Sequence, residues 1–425
     1  MNKPYHKFTF KNGLRLVTVP MKNTQAVTVL VLVGTGSKYE TKEINGISHF
    51  LEHMFFKGTK KRPNTLAISL DLDKVGGIYN AFTGQDETGY WAKVDAKHLD
   101  LALDWVSDIF LNSKLDSREI EKEKGVIIEE INMYLDSPRE YIEEIWISLL
   151  YGDQPAGWFV AGEKKTISGF KRIQFLSYLQ NHYTARNTVV VVAGNIGGIS
   201  KLKQKIQKYF QNIKAGRTKN KDQVTEKQTK PKVLLRYKKT DQTHFSLGVR
   251  GCNIFHPDIY IMDILSVILG NGMSSRLWIE VREKEGLGYY VFTDNSTDPD
   301  TGYLTTWAGI DNKRVDRAIN IILREYKRIT NEKINAKELR KAKDYVKGKT
   351  ILRMESSDVQ ARFYGNQELF ENKILTLDEK FAKIEAVTAD DIQRVAKDAF
   401  RPGKLNLALI GPFKDKNKFE RLLKI

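Results

Sequence analysis

Residues 76–131 read GGIYNAFTGQDETGYWAKVDAKHLDLALDWVSDIFLNSKLDSREIEKEKGVIIEEI, and residues 287–350 repeat the same order of features. In each stretch a short apolar run leads into a Thr-Gly-Tyr run, at residues 88–90 and 301–303, and then into two successive helical patterns. Each half of the chain closes with an apolar run that ends at a glycine, Gly194 or Gly411. The chain therefore contains a long-period internal repeat, which indicates a duplicated domain.

The order of these patterns predicts the fold class. Strand-like runs follow one another in apparent hairpins and alternate with pairs of helices, without strict strand–helix–strand crossovers. We therefore expect an α+β fold of two homologous domains that face each other in a bilobed molecule, each with a mainly antiparallel sheet and packed helices. Residues 214–232 are polar and basic and lack apolar periodicity, so they predict a linker between domains at residues 1–213 and 233–425.

The amino-acid composition excludes collagen-like, disordered and membrane-spanning proteins. The 425 residues are 41% hydrophobic and 28% charged, which is typical of a globular chain and not of a collagen-like or disordered one. The longest apolar stretches have the length of strands, far short of the roughly 20 residues that cross a bilayer. The first residues enter a strand pattern without an apolar signal core. We therefore expect a cytoplasmic protein with no membrane partner.

The net charge of +17 raises the question of an acidic partner such as nucleic acid. Much of the excess lies in a helical pattern and a polar run between Lys201 and Lys239. No basic strand with interleaved aromatic residues accompanies it, which a nucleic-acid site would be expected to show. We interpret the excess as a solvated basic surface and expect no nucleic-acid partner.

Two histidines and a glutamate stand out in residues 45–56, NGISHFLEHMFF. On a helix His49 and His53 lie one turn apart on one face, where two imidazoles can bind one zinc ion. Glu52 lies beside them, placed to take a proton from water. The pattern H-x-x-E-H is the inverted form of a common zinc-peptidase motif. The alternative interpretation is a pair of core histidines that carboxylates satisfy.

A catalytic zinc also needs a third protein ligand. Residues 117–131 form a helical pattern on which Glu123 and Glu130 share a face, whereas Glu129 points elsewhere. Alignment of the two copies places apolar or basic residues opposite the two histidines and these two glutamates: Ile264, Ile268, Ala342 and Lys349. The shared scaffold is thus built without these polar groups, so a structural role explains them poorly.

With these motifs the sequence resembles the pitrilysin/insulysin family of inverzincins, and most of all its short branch of mitochondrial processing peptidase and bacterial homologues. The resemblance covers essentially the whole chain and rests on HFLEHMFFKGT, EKEKGVIIEEI, GGIYNAFTGQDETGY and the duplicated halves. It implies a zinc metalloendopeptidase that hydrolyses peptides or unfolded polypeptides, with one zinc per chain. Relatives of this length act as dimers. Because this chain carries both halves, we expect a homodimer.

The resemblance also implies roles for individual residues of the first half. It makes His49, His53 and Glu130 the zinc ligands and Glu52 the general base. It makes Glu123 a carboxylate that supports these ligands. The spacing from His53 to Glu130 is that of the family.

Further roles follow from the resemblance in the substrate-binding parts of the chain. In VREKEGLGYYVF of the second half, Arg282 and Tyr289 are expected to bind the substrate, with Tyr289 as a hydrogen-bond donor during catalysis. The edge strand of the first half is expected to pair with an extended peptide by β-augmentation. The residues of this strand assigned to substrate binding are Asn80, Ala81, Phe82 and Thr83.

Two other functions compete with this interpretation. The chain could be a non-catalytic scaffold or partner subunit, as are core subunits of respiratory complexes that share this fold without the metal motif; it would then hold no stoichiometric zinc. It could instead be a basic nucleic-acid binder, whose affinity would fall steeply with salt. The second alternative leaves the histidines and glutamates unexplained, and the intact motif favours an active peptidase over the first.

Overall fold

The computed structural model describes residues 3–216 and 219–424, which form two compact units. Each unit is built on one β-sheet. In chain order the strands are β1 (His6–Thr9), β2 (Arg15–Pro20), β3 (Ala26–Val33), β4 (Ile78–Thr83), β5 (Thr88–Asp95), β6 (Thr188–Gly194), β7 (Lys232–Tyr237), β8 (Gln242–Arg250), β9 (Gly288–Thr297), β10 (Gly302–Asp311) and β11 (Asn406–Gly411).

Helices surround both sheets. In chain order they are α1 (Ile47–Met54), α2 (Thr65–Asp73), α3 (Leu99–Asn112), α4 (Ser117–Asp136), α5 (Pro138–Tyr151), α6 (Lys164–Gly169), α7 (Arg172–His182), α8 (Ile199–Tyr209), α9 (Ile259–Gly270), α10 (Val315–Asn331), α11 (Ala336–Arg353), α12 (Ser357–Asn366), α13 (Leu377–Ala386), α14 (Ala389–Ala399) and α15 (Lys416–Leu422). Within the described ranges, none of them combines the length and apolar character that crossing a membrane requires.

The first unit contains a six-stranded sheet in the order β1-β2-β6-β3-β5-β4. Its neighbouring strands are antiparallel except β2 and β6, which run parallel. Strands β3 and β6 are almost continuous runs of buried Val, Leu and Ala, which suits a central position covered on both faces. The order leaves β4 at one edge of the sheet.

The second unit repeats this topology in a five-stranded sheet with the order β7-β11-β8-β10-β9. Strands β7 and β11 are parallel, and the other neighbours are antiparallel. Each strand of the second sheet has a counterpart at the same position in the first sheet, and β1 is the additional strand of the first sheet. The predicted internal duplication, the α+β class and the mainly antiparallel sheets are therefore confirmed.

Both faces of the second sheet are buried. On β8, Phe245 and Leu247 belong to an apolar cluster with residues of α9, α10 and α14. On β10, Tyr303 and Trp307 belong to a separate cluster with Trp146 of α5. Side chains of one strand alternate between faces, so a strand such as β10 contributes to both clusters.

The two units exchange helices between the halves of the chain. The first contains residues 3–132, 159–216, 219–222 and 351–376, and the second contains residues 133–158, 223–350 and 377–424. Thus α12 from the second half packs on the first sheet, where Ser357 Oγ lies 2.8 Å from Thr28 Oγ1. Helix α5 from the first half packs on the second sheet through Trp146 and Leu150.

Because of this exchange, each compact unit contains residues from both of the predicted domains, 1–213 and 233–425. An amphipathic pattern shows that a helix buries one face, but it does not show which sheet covers that face. The predicted linker, residues 214–232, contains no helix or strand before β7 begins at Lys232, within its described part. Residues 217 and 218 of that linker lie outside the described residues.

Candidate metal centre

Helix α1 carries the two histidines and is anchored by its apolar side. It begins after Gly46, whose φ of +96° is the left-handed conformation that glycine adopts without strain. A Cβ at this position would lie 2.8 Å from the carbonyl oxygen of Ala161, so a larger residue would not fit. The side of the helix that faces the core is fully buried, through Ile47, Phe50, Leu51 and Met54.

Three metal-binding side chains converge beside this helix. The rings of His49 and His53 have centroids 4.7 Å apart. Glu130 on α4 places Oε1 3.7 Å from His49 Nε2 and Oε2 3.4 Å from His53 Nε2. One donor atom from each of the three lies within 4.8 Å of the others. Their side chains are 12%, 21% and 23% exposed, so the cluster is partly accessible to solvent.

Glu123 orients one of the imidazoles. Its Oε1 lies 2.9 Å from His53 Nδ1, and its Oε2 lies 2.5 Å from Lys57 Nζ. Burial opposes the charged form of Glu123, but the hydrogen bonds from His53 and Lys57 outweigh it and lower the pKa of the carboxyl group. With Nδ1 bonded to a carboxylate, His53 directs Nε2 toward Glu130.

The two imidazoles have different proton affinities. Burial, and then the nearby charge of His53, lower the pKa of His49 to about 4. Burial opposes protonation of His53, but hydrogen bonds to Glu123 and Glu130 outweigh it and raise the pKa of His53 to about 9. Since a metal binds the neutral imidazole, the surroundings of His49 favour its metal-binding form, whereas those of His53 favour its protonated form.

Glu52 is held by a residue of the neighbouring sheet. The hydroxyl group of Thr83, at the end of β4, donates a hydrogen bond of 2.5 Å to Glu52 Oε2. Burial raises the pKa of Glu52, and the hydrogen bond from Thr83 partly opposes that shift. A carboxylate with a raised pKa is better suited to accept and return a proton near neutral pH.

A buried carboxylate holds the start of α1. Glu40 is 3% exposed and accepts hydrogen bonds from the backbone N–H groups of Gly46, at 2.7 Å, and Ser48, at 2.8 Å. Its Oε2 also accepts from Asn45 Nδ2 at 3.0 Å. Burial raises the pKa of Glu40 to about 7, although these hydrogen bonds favour its charged form.

The edge strand β4 runs beside the cluster. Within the described chain it pairs with β5 and with no other strand, in the register Ala81 to Tyr90. Asn80 is exposed, and its Oδ1 accepts a hydrogen bond of 2.8 Å from the N–H of Ala81. Because Thr83 bonds Glu52, the end of this strand is tied to the helix that carries the histidines.

Helix α12 supports the same strand from the other face. The ring of Phe82 lies over Gly89 of β5, where a Cβ would approach within 2.3 Å of the ring. The guanidinium group of Arg362 lies 4.2 Å from the centroid of that ring. Arg362 also donates to Glu87 at 3.2 Å. Residues of the second half of the chain thus stabilise the hairpin of β4 and β5.

Arg282 and Tyr289 lie together in the second unit. Arg282 Nη1 donates a hydrogen bond of 2.8 Å to the carbonyl oxygen of Tyr289. Its guanidinium group lies 4.2 Å from the ring centroid of Trp278 and 5.3 Å from that of Tyr289. Tyr289 itself is 72% exposed. The structure therefore presents an arginine and an accessible tyrosine as one surface feature of this unit.

Both halves of the chain are similar to known proteins. The family model described as Insulinase (Peptidase family M16) matches residues 15–162, and the model described as Peptidase M16 inactive domain matches residues 170–346. An uncharacterized zinc protease, YmxG of Bacillus subtilis, is 36% identical over 407 residues, which cover 96% of this chain and 98% of that protein. The chain belongs to the insulinase family, M16.

Other insulinase-family relatives agree with this assignment. An uncharacterized zinc protease of Rickettsia felis is 34% identical over 97% of this chain and 98% of its own length. The crystal structure of a protease from Helicobacter pylori matches with a TM-score of 0.89 and 26% identity, and covers 96% of this chain and 99% of that one. The predicted resemblance is confirmed, and the names support a metallopeptidase that uses zinc.

The predicted site residues of this insulinase-family chain lie in separate groups within the two units. The first unit gathers Glu52, Glu123 and the three predicted metal ligands around α1. The second unit pairs Arg282 with Tyr289. The edge-strand residues lie on β4, and Thr83 also contacts the predicted base. The roles of these residues in binding and catalysis stay predictions.

Sequence reasoning missed three partners of this family's motif. The sequence predicts a contact of Thr83 with substrate, and in the structure its hydroxyl group also donates a hydrogen bond to Glu52. No sequence motif predicts a role for Lys57 or Glu40, although Lys57 bonds Glu123 and Glu40 bonds the start of α1. Lys57 follows His53 by four residues, and that helical spacing is a weak signal for a shared partner. Glu40 approaches through a loop, and no sequence spacing predicts such a contact.

Proposed function

We propose that the chain is a zinc-dependent endopeptidase that hydrolyses peptides or unfolded polypeptides. The observation that carries this proposal is the convergence of His49, His53 and Glu130, with donor atoms within 4.8 Å of one another. Glu52 lies on the same helix as the histidines and supplies the group that peptide hydrolysis needs besides a metal.

The donor set fits zinc. Two imidazoles and one carboxylate are a combination that catalytic zinc sites use, with a further position for water or substrate. The hydrogen bond from His53 Nδ1 to Glu123, 2.9 Å long, is the kind of contact that fixes the tautomer of a metal-bound histidine. We assign one zinc per chain to His49, His53 and Glu130.

The reaction then requires a proton acceptor and donor. Zinc bound at this cluster would supply Lewis acidity toward a peptide carbonyl and toward water. Glu52 takes a proton from the attacking water and passes it to the nitrogen of the leaving product. Thr83 holds Oε2 of the Glu52 carboxylate by its hydrogen bond of 2.5 Å, which leaves Oε1 for the water.

Strand β4 is the proposed binding edge for substrate. An edge strand offers unpaired N–H and C=O groups, and an extended peptide can add to it as a further strand. Residues Asn80 to Thr83 would align the peptide beside α1, since Thr83 bonds Glu52. Only an extended chain can pair in this way, so unfolded polypeptides are better substrates than folded proteins.

Further proposals concern the second unit and the assembly. We assign substrate binding to Arg282 and Tyr289, supported by the family resemblance and by the 72% exposure of Tyr289. A homodimer is tested by the mass of the purified chain in solution. A cytoplasmic location and the absence of a nucleic-acid partner also stay predictions.

A matched pair of variants on α4 tests the function. Glu130→Gln removes a proposed ligand, whereas Glu129→Gln changes an exposed neighbour on the same helix. Zinc content and cleavage of a mixed library of unfolded peptides are measured for both and for the wild type. We expect zinc and cleavage in the wild type and Glu129→Gln, and the loss of both in Glu130→Gln. A zinc-free, inert wild type would instead indicate a scaffold or partner subunit.

A further inference from the structure

The first turn of α1 is held from outside the helix. Gly46, which precedes the helix, provides no side chain to cap it. Glu40 takes that place and accepts from the N–H groups of Gly46 and Ser48 at 2.7 and 2.8 Å. A carboxylate at a helix N-terminus satisfies donors that lack partners within the helix and interacts favourably with its dipole.

The side chain of Ser48 is held as well. Its hydroxyl group lies 2.8 Å from the hydroxyl group of Tyr178 on α7. Tyr178 is 3% exposed, and its hydroxyl also bonds Thr35 Oγ1 at 2.8 Å and the carbonyl oxygen of Gly36 at 3.3 Å. Backbone and side chain of Ser48 are therefore fixed by two independent buried partners.

Ser48 directly precedes His49, and the two proposed histidine ligands are supported differently. His53 is oriented through its own ring by Glu123, at 2.9 Å. The Nδ1 atom of His49 is buried, and no group of the described residues hydrogen-bonds it. The position of the His49 ring is thus set by the placement of the helix turn that carries it, and that placement depends on Glu40.

We infer that Glu40 is a positioning residue for the metal site. Through the N–H groups of Gly46 and Ser48, Glu40 keeps His49 close to Glu130, the other proposed ligand. The distance from His49 Nε2 to Glu130 Oε1 is 3.7 Å. Tyr178 assists by holding the hydroxyl group of Ser48. The inference rests on the proposed zinc site and adds to it the residue that supports its second imidazole.

The test compares Glu40→Gln with Glu43→Gln in the full chain. Glutamine replaces one acceptor oxygen with an NH₂ group, which then faces a backbone N–H or the amide of Asn45. Glu43 is exposed on the turn that precedes α1, and its carboxylate accepts a hydrogen bond of 2.7 Å from Thr41 Oγ1. The zinc dissociation constant is measured by competition with a chromogenic chelator, and the visible spectrum is recorded with cobalt in place of zinc.

We expect Glu40→Gln to bind zinc about 10- to 100-fold more weakly, as for other partners that support a metal ligand, and to change the cobalt spectrum. Glu43→Gln should match the wild type in both. Tyr178→Phe, which loses one hydroxyl group, should weaken zinc binding in the same direction by a smaller factor, and it serves as the test if Glu40→Gln does not fold.

Two results would overturn the inference in distinguishable ways. If Glu40→Gln and Tyr178→Phe melt at a lower temperature but keep the zinc affinity and cobalt spectrum of the wild type, Glu40 only stabilises the fold. If the wild type itself binds no stoichiometric zinc, the proposed function fails, and the inference fails with it.

Discussion

Replacement of Glu123 by glutamine tests how the structure prepares His53 for a metal. The side chain of Glu123 is 4% exposed, with one oxygen 2.9 Å from His53 Nδ1 and the other 2.5 Å from Lys57 Nζ. Glutamine can still accept from His53, but without a charge, and its NH₂ group then faces the ammonium group of Lys57. The variant therefore loses two charge-assisted hydrogen bonds of the site.

The size of the effect follows from the strength of such bonds. A hydrogen bond to a charged group contributes about 1.5–3 kcal/mol, and part of the bond from His53 survives in the variant. We take the loss in zinc binding as about 2 kcal/mol, which corresponds to a dissociation constant about 30-fold larger. Glu121→Gln is the matched control, because Glu121 is 67% exposed on the same helix and pairs with Lys124.

The assay is a competition titration of zinc against a chelator at fixed pH, with peptide cleavage measured at saturating zinc. We expect Glu121→Gln to bind zinc as the wild type does. An unchanged dissociation constant for Glu123→Gln would refute the argument that its carboxylate supports His53. A complete loss of zinc, equal to that of Glu130→Gln, would instead make Glu123 a ligand.

Three further predictions concern Thr83, His182 and Arg362 of the first unit. Thr83→Val removes the hydrogen bond that lowers the pKa of Glu52, so the acidic limb of the kcat/KM profile should move to higher pH, as pH–rate measurements would show. Burial, and then the charge of Lys219, lower the pKa of His182 to about 4. Below pH about 6.5 the unfolded chain therefore binds a proton at His182 that the folded chain does not, and the free energy of unfolding decreases as pH falls toward 4. His182→Phe should remove up to about 3 kcal/mol of this decrease, as urea unfolding of the wild type and the variant in the presence of a chelator would show. Arg362→Ala removes the cation over Phe82 and should lower the free energy of unfolding by about 1 kcal/mol, with unchanged zinc content.

The parts of the fold and site that could be predicted are those with a fixed local spacing. His49 and His53 are four residues apart, and Glu123 and Glu130 are seven apart, so helical geometry alone places each pair on one face. The two halves share their order of strands and helices, which predicted the duplication. The spacing of these four side chains is local in sequence, and in the structure they lie around α1.

The parts that could not be predicted depend on contacts between distant residues. Helices α5 and α12 show amphipathic patterns, but the sheet that each one covers belongs to the other half of the chain. Glu40 reaches α1 through an irregular loop, and its role follows only from two backbone hydrogen bonds. Hydrogen bonds to backbone N–H groups leave no pattern of residue types in a sequence.

Peptide hydrolysis by the wild type and by Glu52→Gln, at equal zinc content, is the measurement that tests the central claim most directly. Glutamine keeps the shape of the side chain and its contact with Thr83 but cannot accept the proton. We predict that zinc is retained and that the rate of cleavage of an unfolded peptide falls by about 10²- to 10⁴-fold. Equal rates for the two proteins, or a zinc-loaded wild type that cleaves no peptide, would contradict the account.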